Sequence, residues 1–492
     1  MTDYNDIELV IKSRIPLIVI ESHEESRVVD MMRQIAINIG KPVFKWSITE
    51  GLERIDRKMA PQKHNSEPTD VLGHIKAVKS PGLYILTDFH PYLDEPVHVR
   101  LLKDIAIEYE QTAHTIVLVS HQIKIPAELA KFSAHTQLAL PTKDHLERMV
   151  RDVAKEWAEE NRGHSVKTDP KTLGMLVNNL SGLTIRDAKR LARNAVYDDG
   201  AITQSDLPNI TKAKYNLLSQ NGVLSFEYDT ARFSDIGGFI KLKKWLTERR
   251  DVFYGKKEVQ HLDTPKGVML LGVQGCGKSL AAKAVAGTWG VPLLRLGFGT
   301  MYNKFHGETE RNLRESLKTA EVMMPCVLWI DEIEKGIGTS DSDGGASRRV
   351  LGTLLTWMAE KKSAVFIVAT ANDIEALPPE LVRKGRFDEI FFVDLPNENV
   401  RETIFSIHLK NRDLDPQKYD VKKLSTAANG FSGAEIEQAV VSAYYSAHAQ
   451  DAELAMMHLL DEIRQTRPLS IVMAEKIDYL RNWAADRTVP CD

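Results

Sequence analysis

Three cysteines in 492 residues, Cys276, Cys326 and Cys491, are too few and too scattered for a disulfide framework or a cysteine-built metal cluster. No stretch approaches the roughly twenty consecutive apolar residues of a membrane-crossing helix, so no span is expected. The opening MTDYNDIELV is acidic where a secretory leader would be basic, and the expected location is therefore cytoplasmic. A formal net charge of -4 implies no general affinity for nucleic acid. What remains, 43% apolar and 27% charged residues, is the balance of a folded globular chain rather than a disordered or coiled-coil one. The length exceeds what one core organises and predicts several domains.

The chain is organised around GVMLLGVQGCGKS at 267–279, a short apolar run that breaks into a glycine-rich turn ending in Lys-Ser. Gly272, Gly277, Lys278 and Ser279 satisfy G-x-x-x-x-G-K-[ST], the phosphate-binding loop. Glycines let backbone N–H groups turn inward around a polyphosphate, and the helix that follows presents its positive end to the same anion. Lys278 then reaches the terminal phosphates and the Ser279 hydroxyl is a Mg²⁺ ligand. The nucleotide-binding set expected from this stretch is Gly272, Gly275, Cys276, Gly277, Lys278, Ser279 and Leu280. CVLWI at 326–330 is an apolar strand that delivers Asp331 and Glu332 at its C-terminal end, where ligands collect on parallel sheets. One carboxylate suits Mg²⁺ and the next suits polarising a water. A neighbouring strand, 365–369, leads to Asn372, which is placed to hold that water or touch the γ-phosphate; taken by residue type alone, Asn372 is a turn residue.

The first half carries the same order of elements. Strands at 16–20, 42–46, 83–87 and 115–119 alternate with helical segments, which indicates a parallel, helix-covered sheet, and 143–196 is helical throughout. At a shift of about 250 residues the halves align. PVFK at 42–45 matches PLLR at 292–295, IPAEL at 125–129 matches LPPEL at 377–381, and LSGLTIRDA from Leu180 matches FSGAEIEQA from Phe431. The expected architecture is therefore two tandem α/β modules, each a parallel sheet with a helical lid. The predicted divisions are 1–141 and 142–220 for the first module, and 221–395 and 396–492 for the second. The copies differ where chemistry would occur. In place of the phosphate loop the first has ESHEESR at 21–27, without glycine and with three carboxylates where an anion would sit, so it is read as a retained fold with a degenerate site. His23-Glu24 fails as H-E-x-x-H because Arg27 stands where the second histidine is required.

With DIGG at 235–238, GVQGCGKS at 272–279, KFHGETERN from Lys304, VLWIDEIE from Val327, VATAN from Val368, RKGRFDE from Arg383 and GFSGAEIE from Gly430, the second half resembles the ATPase module of the AAA family. With RPLS at 467–470 added, the whole chain resembles a bacterial and plastid group named after a hypothetical chloroplast reading frame. The resemblance implies an AAA+ ATPase that converts ATP to ADP and phosphate with Mg²⁺ in a ring, usually of six copies. It makes Asp331 the Walker B metal residue beside Ser279, Glu332 the catalytic base and Asn372 the first sensor. Arg383 and Arg386 become arginine fingers toward a neighbour's ATP, a role suited to a fixed guanidinium fork; residue type alone favours a solvated or structural arginine. Gly237, Gly433 and Ala434 fall where the family packs against adenine and ribose. Lys304, Phe305 and His306 match the first pore loop, which grips a threaded protein client, against the plainer reading of Phe305 packed on its own domain. The polar, glycine-rich 336–349 lies at the second pore loop.

Two departures stand out. VQGC at 273–276 replaces the usual P-P-G-T and sets a thiol at a helix N-terminus, where a lowered thiol pKa and redox sensitivity are expected. WMAEKK at 357–362 replaces an element that signals between subunits. The reading is an ATP-driven remodelling motor, with a nucleotide-gated scaffold or switch as one alternative. A nucleic-acid-associated ATPase is the other, favoured only by a basic cluster at Lys241, Lys243, Lys244, Arg249, Arg250, Lys256 and Lys257.

Overall fold

The computed structural model describes all residues except 1, 23, 58, 122, 139, 219–222, 256–260, 299–308, 338–345 and 384. The chain forms two compact units, Met1–Asp206 and Leu207–Asp492. Helix Leu207–Leu218, placed with the first lid on sequence, packs within the second unit: the Lys214 ammonium donates to the Val322 carbonyl at 2.7 Å and Tyr215 joins the second unit's core. Among the described residues no helix is long and apolar enough to cross a membrane.

The first unit is a six-stranded sheet: four strands fall within a residue or so of the sequence expectation, and Gly51–Arg54 and Ser133–Gln137 were not expected. The six are β1 (Leu17–Glu21), β2 (Val43–Ser47), β3 (Gly51–Arg54), β4 (Leu83–Thr87), β5 (Thr115–Ser120) and β6 (Ser133–Gln137), ordered β3-β2-β4-β5-β1-β6. All neighbours are parallel except β2 with β3. Residues 17–20 and 83–87 are buried along their whole length, as a sheet covered on both faces requires.

The second unit has seven strands: β7 (Leu224–Glu227), β8 (Gly267–Gly272), β9 (Leu293–Leu296), β10 (Cys326–Ile330), β11 (Val365–Ala371), β12 (Glu389–Val393) and β13 (Val489–Pro490). The order is β13-β12-β8-β11-β10-β9-β7, parallel except for β7 on β9. Its central run β9-β10-β11-β8-β12 reproduces β2-β4-β5-β1-β6 of the first unit strand for strand, so the sequence repeat is a repeat of topology. Apolar side chains on one sheet face meet helix Lys278–Trp289, whose Ala281, Ala282, Ala284 and Ala286 are fully buried and let the helix lie close to the strands. This contact aims the helix N-terminus at the C-terminal edge of β8. A separate helical core, built on Phe405, Leu409, Leu424, Ile436, Val440 and Leu459, forms the lid.

Candidate nucleotide site

The turn after β8 owes its path to glycine. Gly275 and Gly277 have φ of 76° and 85°, a left-handed backbone that a side chain resists. A Cβ on Gly275 would lie 3.1 Å from the Ser432 hydroxyl and 3.3 Å from the Ala434 methyl, so the loop meets the lid there, and the Ala434 N–H donates to the Gly275 carbonyl at 3.0 Å. Lys278, 6% exposed, folds back and donates to the carbonyls of Gly272 and Val273 at 2.8 and 2.7 Å. Burial lowers its pKa to about 8.

Beside the loop lies a cavity of about 780 Å³, within the range of small-molecule sites. Of the sequence-predicted residues, Gly237, Gly275, Cys276, Gly277, Lys278, Ser279, Leu280, Asp331, Glu332, Asn372, Gly433 and Ala434 line it. Gly272 sits behind the wall, where its carbonyl holds Lys278. Arg383 and Arg386 do not line it, and Arg386 donates to the Leu355 carbonyl at 2.8 Å. Lys304, Phe305 and His306 lie outside the described residues, as does much of 336–349.

At the polar end the Ser279 hydroxyl donates to Asp331 Oδ1 at 3.3 Å, and the buried Thr370 hydroxyl donates to the same oxygen at 2.7 Å. Thr370 also accepts the Glu332 N–H at 3.0 Å, which holds Glu332 at a left-handed φ of 47°. The Glu332 carboxylate is gripped twice, by the Lys335 ammonium at 2.6 Å and by Asn372 Nδ2 at 3.1 Å. Glu334, 6% exposed, accepts the Asn372 N–H at 2.9 Å, while its other oxygen is buried without a hydrogen-bond partner among the described residues. Burial raises the Glu334 pKa, and the nearby Glu332 charge adds to the effect. Magnesium fits this donor set. Hard oxygen ligands, Ser279 and Asp331, stand together, and no group of three or more His, Cys, Asp or Glu suited to a metal occurs among the described residues. An ion here would thus depend on nucleotide phosphates and water for its remaining ligands.

Several residues in the site escaped the sequence reading. Arg295, from the neighbouring β9, lies over the Trp329 ring at 4.7 Å and donates to Asp331 Oδ2 at 3.0 Å; a lone arginine in the apolar strand LLRL was the available signal. The apolar end is closed by Ile236, Val400, Ile404, Ile407 and His408. His408 is half-buried, its Nδ1 has no hydrogen-bond partner among the described residues, and Glu437 stands 3.8 Å away, too far for one. Burial lowers its pKa. Residues 400, 404 and 407 form an apolar helical stripe that reads as core but faces the cavity, and Asn411 follows at the helix end.

Two expectations change. Cys276 is 9% exposed, and burial pushes its thiol up to about 12, outweighing Lys278 beside it. The expectation of a lowered thiol pKa is not met, because desolvation outweighs the helix N-terminus. Members of the basic cluster are used internally: Lys243 donates to the Ile236 carbonyl at 3.1 Å, and Arg249 stacks over Trp245 at 3.8 Å.

Comparison with known proteins also divides the chain, but the second matched domain runs to residue 221, past the Asp206 end of the first unit. The model of the ATPase family associated with various cellular activities (AAA) matches residues 268–395. The SpoVK-like AAA ATPase N-terminal and second domains match 4–138 and 144–221. The chain is 36% identical over 487 residues to the "Uncharacterized AAA domain-containing protein ycf46" of Pyropia yezoensis, covering 98% of this chain and 97% of the relative. Against the protein of the same name from Guillardia theta it is 35% identical over 491 residues, covering 99% and 95%. It is 33% identical over 261 residues to the ATP-dependent zinc metalloprotease FtsH of Ralstonia pickettii (strain 12J), covering 51% of this chain and 35% of that one.

Proposed function

Since the chain belongs to the AAA ATPase family, we propose that it hydrolyses ATP in an oligomeric ring, usually of six copies, and uses the cycle to remodel a protein client. The observation that carries this reading is the convergence of Lys278, Ser279, Asp331, Glu332 and Asn372 on one cavity that has a polar and an apolar end. The apolar walls suit a planar base. Loop N–H groups and Lys278 suit the phosphates. Ser279 and Asp331 would hold magnesium, which when bound neutralises phosphate charge. Glu332 takes the proton of the attacking water, Asn372 fixes the orientation of Glu332 and that water, and Glu334 fixes Asn372 through its backbone. Arg383 and Arg386 serve a neighbouring copy's nucleotide, and Lys304, Phe305 and His306 have the role of gripping the client. The first module, with its degenerate loop, supplies architecture or partner binding. The domain divisions expected from sequence stay part of this reading, with helix Leu207–Leu218 moved to the second unit.

A slow nucleotide-gated switch is the second reading, favoured by the double grip of Lys335 and Asn372 on Glu332, which must loosen before the carboxylate meets water. Single-turnover hydrolysis slower than assembly marks the switch. Both readings meet one test. Glu332→Gln should keep ATP affinity while phosphate release falls about 10²- to 10⁴-fold; wild-type turnover in that variant sinks the assignment of the base.

A further inference from the structure

Residues 468–492 return at four places to the cavity or to residues next to its lining. The Leu469 N–H donates to Glu435 at 2.7 Å, next to Gly433 and Ala434. The Lys476 ammonium pairs with Asp373 at 2.9 Å, one residue from Asn372. Arg481 grips both oxygens of Asp394, a cavity residue, at 2.9 Å each. The last contact is the most specific. β13 adds to the edge of β12, and the Cys491 N–H donates to the Phe392 carbonyl at 3.0 Å. The Cys491 carbonyl accepts the Lys241 N–H at 2.8 Å, and this delivers Asp492 to the cavity wall.

Helix Ile240–Phe253 needs what Asp492 brings. Its N-cap position is Phe239, whose side chain cannot accept a hydrogen bond, and the backbone reaches it through two left-handed residues, Gly238 at φ 77° and Phe239 at 59°. A bulky residue in that conformation persists only where its surroundings hold it. Asp492 Oδ1 accepts the Ile240 N–H at 3.1 Å, and its main-chain oxygen accepts the Lys241 ammonium at 2.7 Å. A Cβ on Gly238 would lie 2.9 and 3.2 Å from the two carboxylate oxygens, so the carboxylate lies directly against that turn. A residue far along the chain thus caps the helix and places a negative charge at its positive end. The turn it holds carries Ile236, Gly237 and Phe239, which line the cavity; Gly237 meets Ile404 and Val400 across its apolar end.

We propose that Asp492 is a positioning residue for the nucleotide: it fixes the base-side wall at 236–240, and through β13 it ties that wall to the segment that also braces Asp373, Asp394 and Glu435. The inference rests on the reading of the cavity as an ATP site. Its test is titration of the full chain with a fluorescent ATP analogue, beside steady-state hydrolysis, in wild type, Asp492→Ala and Asp492→Asn. Loss of one capping acceptor should raise both Kd and KM about fivefold in Asp492→Ala and leave kcat within about twofold, while Asp492→Asn, whose amide oxygen still accepts the Ile240 N–H, stays near wild type. Wild-type affinity in Asp492→Ala, a fall in kcat with unchanged KM, or an Asp492→Asn as weak as Asp492→Ala overturns it. A wild type that fails to bind the analogue overturns the ATP reading itself, and this inference with it.

Discussion

β1 and β8 hold the same place in sheets of the same order, and the chain leaves each at the edge where a phosphate would sit. After β8 the turn is made of left-handed glycines and opens onto a cavity. After β1 it is made of side chains that satisfy one another. Glu24 accepts the Ile185 N–H at 2.6 Å and Arg27 at 2.8 Å, Glu21 accepts the Ile123 N–H at 3.0 Å, and Glu25 pairs with Lys45 at 3.0 Å. The next strand ends share one backbone device: Asp88 at φ 49° after β4 and Glu332 at 47° near the end of β10. In the second unit that turn aims a carboxylate at the cavity. In the first, Asp88 accepts the Ser120 hydroxyl at 2.9 Å, with His90 Nδ1 at 2.9 Å from the same oxygen. The same strand order thus carries a glycine turn open to a cavity in one unit and a turn of hydrogen-bonded carboxylates in the other.

The largest effect that could break this contrast is at Lys278. Lys278→Ala should weaken ATP binding by about a hundredfold or more, the worth of two charge-assisted hydrogen bonds at about 1.5–3 kcal/mol each. Calorimetry should find one nucleotide per chain in wild type and none in the variant over the same range. A second, Lys278-independent site would mean that the first module also binds, and the contrast would fail.

The mirror change is Glu24→Ala. It leaves the Ile185 N–H, at the start of a helix, without its acceptor, and should cost the first unit about 1–3 kcal/mol in a denaturant melt with ATP affinity unchanged. Glu24 is well buried, so solvent replaces the lost partner poorly. An unchanged melt would show that the carboxylates are incidental to that turn.

The central strands were legible because parallel strands buried on both faces read as apolar runs, and the repeat was legible because PVFK and PLLR, or LSGLTIRDA and FSGAEIEQA, keep their order. The phosphate loop was legible because its chemistry is local. β13 was not: two residues, one of them proline, carry no period, and only Phe391 and Phe392 opposite them define the strand. Asp492 and Arg295 act across long separations in sequence, which spacing does not encode. Cys276 misled because its position at a helix N-terminus argues for an activated thiolate, while the fold places it in the buried cluster that includes Phe239, Val273 and Val393.

The smallest effect, and the one that isolates the second unit's turn, is a pH slope. Lys278 has its pKa lowered to about 8 by burial in the nucleotide-free state, and phosphates placed against it would raise that value. Binding therefore takes up a proton wherever the free lysine has lost it. Affinity should be level below about pH 8 and weaken above it, by at most about tenfold per pH unit. Lys214 and Lys361 also have pKa values near 8, but they donate to the carbonyls of Val322 and Val365 and line no part of the cavity, so their titration does not contribute. No lysine stands in ESHEESR, the first unit's counterpart of the loop. Calorimetry in two buffers of different ionisation enthalpy should therefore show proton uptake rising toward one per nucleotide above pH 8; affinity that stays level to pH 9.5, about a unit and a half past the lysine's midpoint, would mean that Lys278 does not meet the phosphates as a cation.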